Sequence, residues 1–291
     1  MLRLVVPKGS LERATFELFE AADLKISRGS DREYRGSIDD PRIDSVAILR
    51  PQEIPLYVED GFFDIGVTGE DWIAEMGSDV VKVCPLNYSK ATDRPVKIVL
   101  AVPRDAGISS PEQIKPESRI STEFPNLTKA YFEKLGIPVR VFLSYGATEA
   151  KVPEIVDAIV DLTETGSTLN RHGMDIVDVL MESRTHLIAN PKAWADPEKR
   201  RSIEELTILL QGAVDARGKV LVKLNVDEAN LGAVVDLLPA MRAPTVSQLY
   251  ETGYYAVETI VPKSTINTLI PRLKALGAED ILELPVTKIV P

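Results

Sequence analysis

Hydrophobic and polar positions follow two distinct rhythms along this 291-residue chain. Through the first two thirds, short runs of Leu, Ile and Val give way to stretches with helical spacing. This pattern predicts strands over residues 2–6, 45–49 and 64–67, each followed by a helix, over 11–22, 51–60 and 71–76. Such alternation predicts an α/β fold with a parallel, doubly wound sheet, and places ligands where strand C-termini open into loops. Those loops read PKGS, LRPQ and VTGED. A second α/β unit starts near Pro95, with strands predicted over 96–102, 119–121 and 139–143 and an amphipathic helix over 126–135. Strands over 176–182 and 185–189 and a charged helix over 197–211 lead back to the first unit. Two crossovers leave a cleft with a hinge, where two substrates can be brought together.

Beyond about residue 214 the rhythm changes. A strand is expected over 219–226, a helix over 227–238 with Asp227 as its N-cap, and a strand pair over 245–249 and 255–261 across a turn at 251–253. A helix over 264–276 ending at Gly277 and a last strand over 281–284 complete the module. The order βαββαβ is ferredoxin-like. It holds no cluster of catalytic residue types, so an accessory, regulatory or assembly role is expected of it.

Composition narrows the function classes. With 44% hydrophobic residues the chain can bury a full core, and its length suggests about two domains. The apolar run before Pro7 and Lys8 is too short for a secretory signal and no segment has membrane length, so cytoplasmic residence without membrane attachment is expected. One Cys (Cys84) excludes an internal disulfide, and two His (His172, His186) argue against a histidine-built metal site or a Ser/His/Asp triad. Any metal is expected to be Mg2+ held by oxygens. The net charge of −10 argues against nucleic-acid binding. Residues 215–291 carry 8 Lys/Arg against 9 Asp/Glu, so the acidity belongs to the first 214 residues.

That acidity surrounds the most informative segment, DLTETGSTL at residues 161–169, into which the apolar run 155–160 empties. Gly166 can take φ > 0, and neighbouring N–H groups and hydroxyls can point one way, as a phosphate cradle requires. Asp161 and Glu164 add acceptors suited to sugar hydroxyls or to a metal accompanying phosphate. The same residues would also satisfy an ordinary strand-to-helix turn. If a sugar phosphate binds there, backbone N–H groups, a few placed cations and Mg2+ must do the binding locally, whatever the overall charge.

Six motifs, taken in order, carry a family resemblance: PKGSL (7–11), RPQEIPLYVEDGFFDIGVTGEDW (50–72), STEFPNLTKAYF (121–132), GATEAKVPE (146–154), VDAIVDLTETGSTL (156–169) and APTVSQL (243–249). Together they resemble ATP phosphoribosyltransferase in its long form, over essentially the whole chain. The resemblance implies that N1 of the ATP adenine attacks the anomeric carbon of 5-phosphoribosyl 1-pyrophosphate, displacing pyrophosphate with inversion, Mg2+ being required. It implies a two-lobed, periplasmic-binding-protein-like catalytic region, a C-terminal ferredoxin-like (ACT-like) domain that binds histidine as feedback inhibitor, and dimers to hexamers of one chain. Lobe I is then assigned to residues 1–92 and 178–213, lobe II to 93–177 and the regulatory domain to 214–291.

Glycosyl transfer through an oxocarbenium-like state needs position and electrostatics more than a strong base. Under the resemblance, Thr165, Gly166, Ser167 and Thr168, with Thr163, hold the 5-phosphate, while Asp161 and Glu164 lie near the ribose hydroxyls or Mg2+. Lys8, Gly9 and Arg50 meet pyrophosphate or the ATP phosphates, Gly69 approaches a ligand, and Glu149 sits by the reacting ribose or adenine. Lys8, Glu149 and Asp161 are the candidate catalytic residues. Ala243 and Thr245 match positions that bind histidine in the family, and Asp227 is the candidate partner of its amino group. Ser10 stands where many members have Arg, leaving open whether Arg13 substitutes. Two other classes remain compatible with the residues: a two-lobed small-molecule binding protein, and an amino-acid-responsive regulator acting through its C-terminal module.

Overall fold

Strand β1 (Leu2–Pro7) is buried on both faces, as a central parallel strand must be. In the computed structural model, which describes residues 1–88, 95–239, 243–250 and 253–291, it pairs in parallel with β3 (Ile43–Leu49) and β4 (Ile65–Gly69). A short β2 (Arg35–Gly36) flanks β3. Helices α1 (Glu12–Ala21), α2 (Ile54–Glu59) and α3 (Glu70–Met76) follow β1, β3 and β4, so three βα units build the first lobe. Beyond α3 come β5 (Val81–Pro85), then β6 (Val96–Pro103) and β7 (Arg119–Thr122). Next are α4 (Pro125–Leu135), β8 (Arg140–Leu143), β9 (Ala158–Thr163), α5 (Ser167–Arg171) and β10 (Met174–Ser183). The return to the first sheet runs through β11 (Thr185–Ala189), α6 (Pro191–Ala195) and α7 (Pro197–Ala216).

The six-stranded sheet has the order β2-β3-β1-β4-β11-β5 and the five-stranded sheet β10-β6-β9-β7-β8. Neither is wholly parallel, contrary to the doubly wound expectation. β11 runs antiparallel to β4 and β5, and β6 runs antiparallel to β9 and β10. β10 passes into β11 through Arg184 with no intervening helix, so β11 enters the first sheet outside any βαβ unit, the connection that sets neighbours parallel. β10 stays in the second sheet to Ser183, so the chain leaves that sheet at Arg184 and not at residue 178. The expected boundary at 92/93 lies outside the described residues, as do turn residues 251 and 252.

Compact unit 1 spans Met1–Leu210 and unit 2 Gln211–Pro291, the division falling inside α7. Unit 2 contains β12 (Lys219–Asp227), α8 (Glu228–Leu237), β13 (Thr245–Gln248), β14 (Tyr254–Pro262), α9 (Ile266–Ala275) and β15 (Glu279–Pro285). Its antiparallel sheet has the order β13-β14-β12-β15. This is the ferredoxin-like arrangement expected. Strict alternation on β12 sends Val220, Val222, Leu224 and Val226 into a core with Val234, Leu269 and Leu273. Asp227 caps α8 by accepting the Asn230 N–H at 2.8 Å. Among the described residues, no helix is long and apolar enough to cross a membrane.

Candidate active site

The C-terminal ends of β4 and β9 face a common cavity of about 490 Å3 in unit 1. Ser10, Leu11 and Pro51 reach it from the PKGS and LRPQ loops, and Gly69, Asp71 and Trp72 from the start of α3. Across it stand Glu149 and the DLTETGSTL segment, and Ser183, Arg184 and Thr185 of the strand junction also line it. Residues more than a hundred positions apart thus share one wall system, which the two crossovers make possible.

The segment after β9 is shaped from within. Gly166 sits at φ 73°, and its N–H donates to Thr163 Oγ1 at 2.8 Å. The Thr165 hydroxyl lies 3.1 Å from Ser167 Oγ, and Ser167 N–H reaches Thr165 Oγ1 at 3.4 Å. Gly166 itself bends the loop without lining the cavity, and its amide is engaged by Thr163 in place of a ligand. Thr163, Glu164, Thr165, Ser167 and Thr168 do line it. Arg171 approaches the same loop, with Nη2 3.5 Å from Thr168 Oγ1 and Nε 3.4 Å from the Ser167 carbonyl. This cation is one helical turn past Ser167, where sequence spacing could have signalled it.

Two carboxylates in the cavity wall share an unusual electrostatic state. Burial, together with nearby Glu123 and Glu149, pushes Asp161 up to about 6. Asp71, 4% exposed, is pushed to about 6 chiefly by burial as well. Its Oδ1 accepts the Trp72 N–H at 2.8 Å, and its own N–H donates to Ser183 Oγ at 3.0 Å. A sequence reading treats Asp71 as one more acid capping the VTGED turn. What distinguishes it is packing against β10 residues over a hundred positions later. By contrast, Asp64 at the other end of β4 is a structural acid, paired with Arg3 and Lys199.

Gly69 is needed where it stands. A Cβ added there would lie 2.1 Å from Asp71 Oδ1, and Asp71 is enclosed. Gly69→Ala is expected to cost about 1–3 kcal/mol, the usual range for overpacking, read as a lower urea midpoint with an unchanged m-value.

Several expected site residues lie elsewhere. The Lys8 ammonium rests 4.1 Å from the Tyr34 ring centroid, and neither Lys8 nor Gly9 nor Arg50 lines the cavity. They sit together beside it: Gly9 has φ 93°, and Arg50 Nη1 is 3.7 Å from where its Cβ would be. Tyr34 belongs to a stretch with no periodic signal, which is why the cation–π contact was invisible in the sequence. Arg13, the possible replacement for the cation absent at Ser10, pairs with Glu17 on the solvent side of α1, whereas Ser10 lines the cavity. His172 Nε2 lies 3.9 Å from Glu149 Oε1, a residue of the cavity wall.

In unit 2, Ala243 and Thr245 line a cavity of about 170 Å3 with Leu221, Glu258, Thr259 and Ile260. Asp227 is not among its lining residues: it ends β12, six positions beyond Leu221, and its carboxylate accepts from the backbone and side-chain amides of Asn230. Glu258 is the acid that lines this cavity, and it also pairs with Lys223 at 2.7 Å.

Comparison with known proteins agrees with this division of the chain. The family model described as ATP phosphoribosyltransferase matches residues 50–212, and that described as the HisG C-terminal domain matches 216–288. The chain is 48% identical over 291 residues to an ATP phosphoribosyltransferase of Solidesulfovibrio magneticus, covering 100% of this chain and 98% of that protein. It is 47% identical to one of Desulforudis audaxviator, over 100% of this chain and 99% of that protein. A solved ATP phosphoribosyl transferase (HisG:HisZ) complex from Thermotoga maritima is similar at 29% identity and a TM-score of 0.64, covering 74% of this chain and 99% of that one. Both catalytic and C-terminal family models are present in order, relatives match end to end, and the cavity gathers four of the six motifs that carried the resemblance: the chain belongs to the ATP phosphoribosyltransferase family, in its long form.

Proposed function

We propose that the unit 1 cavity is where this chain carries out the first step of histidine biosynthesis, joining the anomeric carbon of 5-phosphoribosyl 1-pyrophosphate to N1 of ATP and releasing pyrophosphate. The observation that carries the assignment is the facing of the DLTETGSTL segment and the start of α3 across one cavity, in a chain whose full-length relatives are ATP phosphoribosyltransferases. Thr163, Thr165, Ser167 and Thr168 hold the 5-phosphate through hydroxyls and amides, with Arg171 supplying charge. Asp161 and Glu164 take the ribose hydroxyls. Glu149 and Asp71 face the sugar as positive charge develops on it. Carboxylates arranged before the reaction stabilise such a transition state more than the ground state. The acidity of this region is then an asset, because the reacting sugar becomes cationic while the phosphates are held at the cavity's loops. Lys8, Gly9 and Arg50, grouped at the ends of β1 and β3, serve the outer ATP phosphates.

A divalent cation fits this donor set. Asp161 is raised chiefly by burial, and Glu123 and Glu149 add a repulsion that a cation would relieve. Among the described residues no three His, Cys, Asp or Glu side chains form an ion cage. Mg2+ ordinarily takes one or two protein carboxylates and completes its shell with substrate phosphates and water. Asp161 and Glu164 would hold it, and it would neutralise the departing pyrophosphate.

The smaller cavity with Ala243, Thr245 and Glu258 takes the inhibitor histidine, with Glu258 rather than Asp227 meeting its amino group. The enzyme works in the cytoplasm as an assembly of identical chains, from dimer to hexamer. With Mg2+, the purified protein should release pyrophosphate only when ATP and phosphoribosyl pyrophosphate are both supplied, and added histidine should slow it. No two-substrate turnover would remove this assignment and favour a binding protein, a class that the 48% identity to an enzyme over the full chain argues against.

A further inference from the structure

Helix α3 belongs to neither lobe alone. Its first residues, with Gly69 before them, form the cavity wall. Ile73 packs on the first-lobe cluster of Val5, Ile54, Val58 and Ile188. Trp72 and Met76 pack into the second-lobe core, where the Trp72 ring lies 4.7 Å from Phe124. Glu75 stands on this shared helix and is 3% exposed. Its Oε1 accepts the Asn126 N–H at 2.9 Å and its Oε2 accepts the Leu127 N–H at 2.9 Å. Asn126 Nδ2 returns a bond to the Glu75 carbonyl at 3.0 Å.

These bonds solve a local problem of α4. A helix leaves its first N–H groups without intrahelical acceptors, and here Phe124 at the N-cap supplies no side-chain acceptor while Pro125 has no N–H. Glu75 therefore caps α4 from a different element, some fifty residues earlier in the chain. A carboxylate accepting two amides at a helix N-terminus makes charge-assisted bonds with a fixed direction. Burial raises the Glu75 carboxyl, against the pull of the Leu127 and Asn126 amides and of Lys129.

We propose that Glu75 is a positioning residue for the reaction: its two-pronged cap on α4 fixes the distance between the α3 wall of the cavity and the phosphate loop of the second lobe. The inference rests on the cavity being the site of phosphoribosyl transfer. Donor and nucleotide then bind well only when both walls are held in register, so loosening the cap lowers the fraction of molecules competent to bind. Apparent affinity falls in proportion to that fraction. Once both substrates are bound, they hold the walls themselves, and turnover at saturation is preserved.

Kinetics of the full-length protein test this. Glu75→Gln keeps the size and one acceptor but turns an amide NH2 toward a backbone N–H. It is expected to raise KM for both ATP and phosphoribosyl pyrophosphate about tenfold while kcat stays within about twofold, the scale of one charge-assisted bond. Asn126→Ala removes only the returning bond and should raise both KM values about two- to threefold. A lower melting temperature with both KM values unchanged would reduce Glu75 to a structural cap and overturn the proposal, as would a loss confined to kcat. Should Glu75→Gln fail to fold, Asn126→Ala decides alone, unchanged KM values overturning the idea. Wild-type protein without two-substrate turnover would instead remove the functional assignment on which the inference stands.

Discussion

Gly166→Val is expected to lower kcat/KM for phosphoribosyl pyrophosphate by about 100-fold or more, the scale of an ångström-size displacement at a reacting centre. Two physical effects combine. Gly166 has φ 73°, a conformation that costs a β-branched residue about 1–3 kcal/mol. A Cβ there would also lie 3.2 Å from Ile176 Cδ1, so a branched side chain must push that half-exposed side chain aside. The loop must then open, breaking the Gly166 N–H bond to Thr163 Oγ1 and turning the Thr165 and Ser167 hydroxyls away from the cavity. Gly166→Ala should fall between, because one methyl needs only a small shift of Ile176. Pyrophosphate release measured at saturating ATP with varied donor decides the matter. A valine variant with unaltered kinetics would mean that this loop does not bind the donor.

Asp161→Asn should separate activity from stability in opposite directions. The carboxylate is proposed to face the reacting ribose, so its loss is expected to reduce kcat by about 100-fold, the range for removing one preorganised electrostatic group. In the folded protein the Asp161 carboxyl is raised to about 6 from the ordinary 3.8. Between those values the native state binds more protons than the unfolded chain, so this group costs stability as pH rises from about 4 to about 6, and the cost persists above. Removing the charge lifts it. Asn at this position should therefore leave stability at pH 8 unchanged or raise it by about 1–2 kcal/mol, after allowance for solvent screening. Urea unfolding at pH 5 and pH 8 measures this directly, and a large loss at pH 8 would contradict the assigned electrostatics. Wild-type activity should decline as pH falls through about 6, where Asp161 and Asp71 both gain protons.

The contrast between Asp161 and Asp71 shows how far a reading of residues alone could reach. Asp161 announces itself by ending an apolar run before Thr, Gly and Ser, a local pattern. Asp71 carries no such sign, because its character comes from Ser183 and the enclosing walls, which fold back from the other end of unit 1. Lys8 shows the opposite case. A lysine at a strand C-terminus beside glycine is a local sign for phosphate binding, while its contact with the Tyr34 ring beside the cavity comes from the fold alone. Asp227 is likewise a sound N-cap in the pattern and in the structure, but its place at the end of β12 sets it apart from the cavity of Ala243 and Thr245.

What the chain determined by itself were its short-range features. Periodicity set which segments become strands and helices, Asp227 its capping role, βαββαβ the C-terminal topology, and the ordered motifs the family. These depend on neighbours within a few residues, where spacing along the chain is spacing in space. Tertiary structure decided the rest: the antiparallel entry of β11, the raised carboxyls of Asp71 and Asp161, and the capping of α4 by Glu75. Asp71, β11 and Glu75 gain their character where segments fifty or more residues apart meet, and Asp161 where burial brings it beside Glu123 and Glu149; burial and long-range hydrogen bonding leave no mark on local sequence.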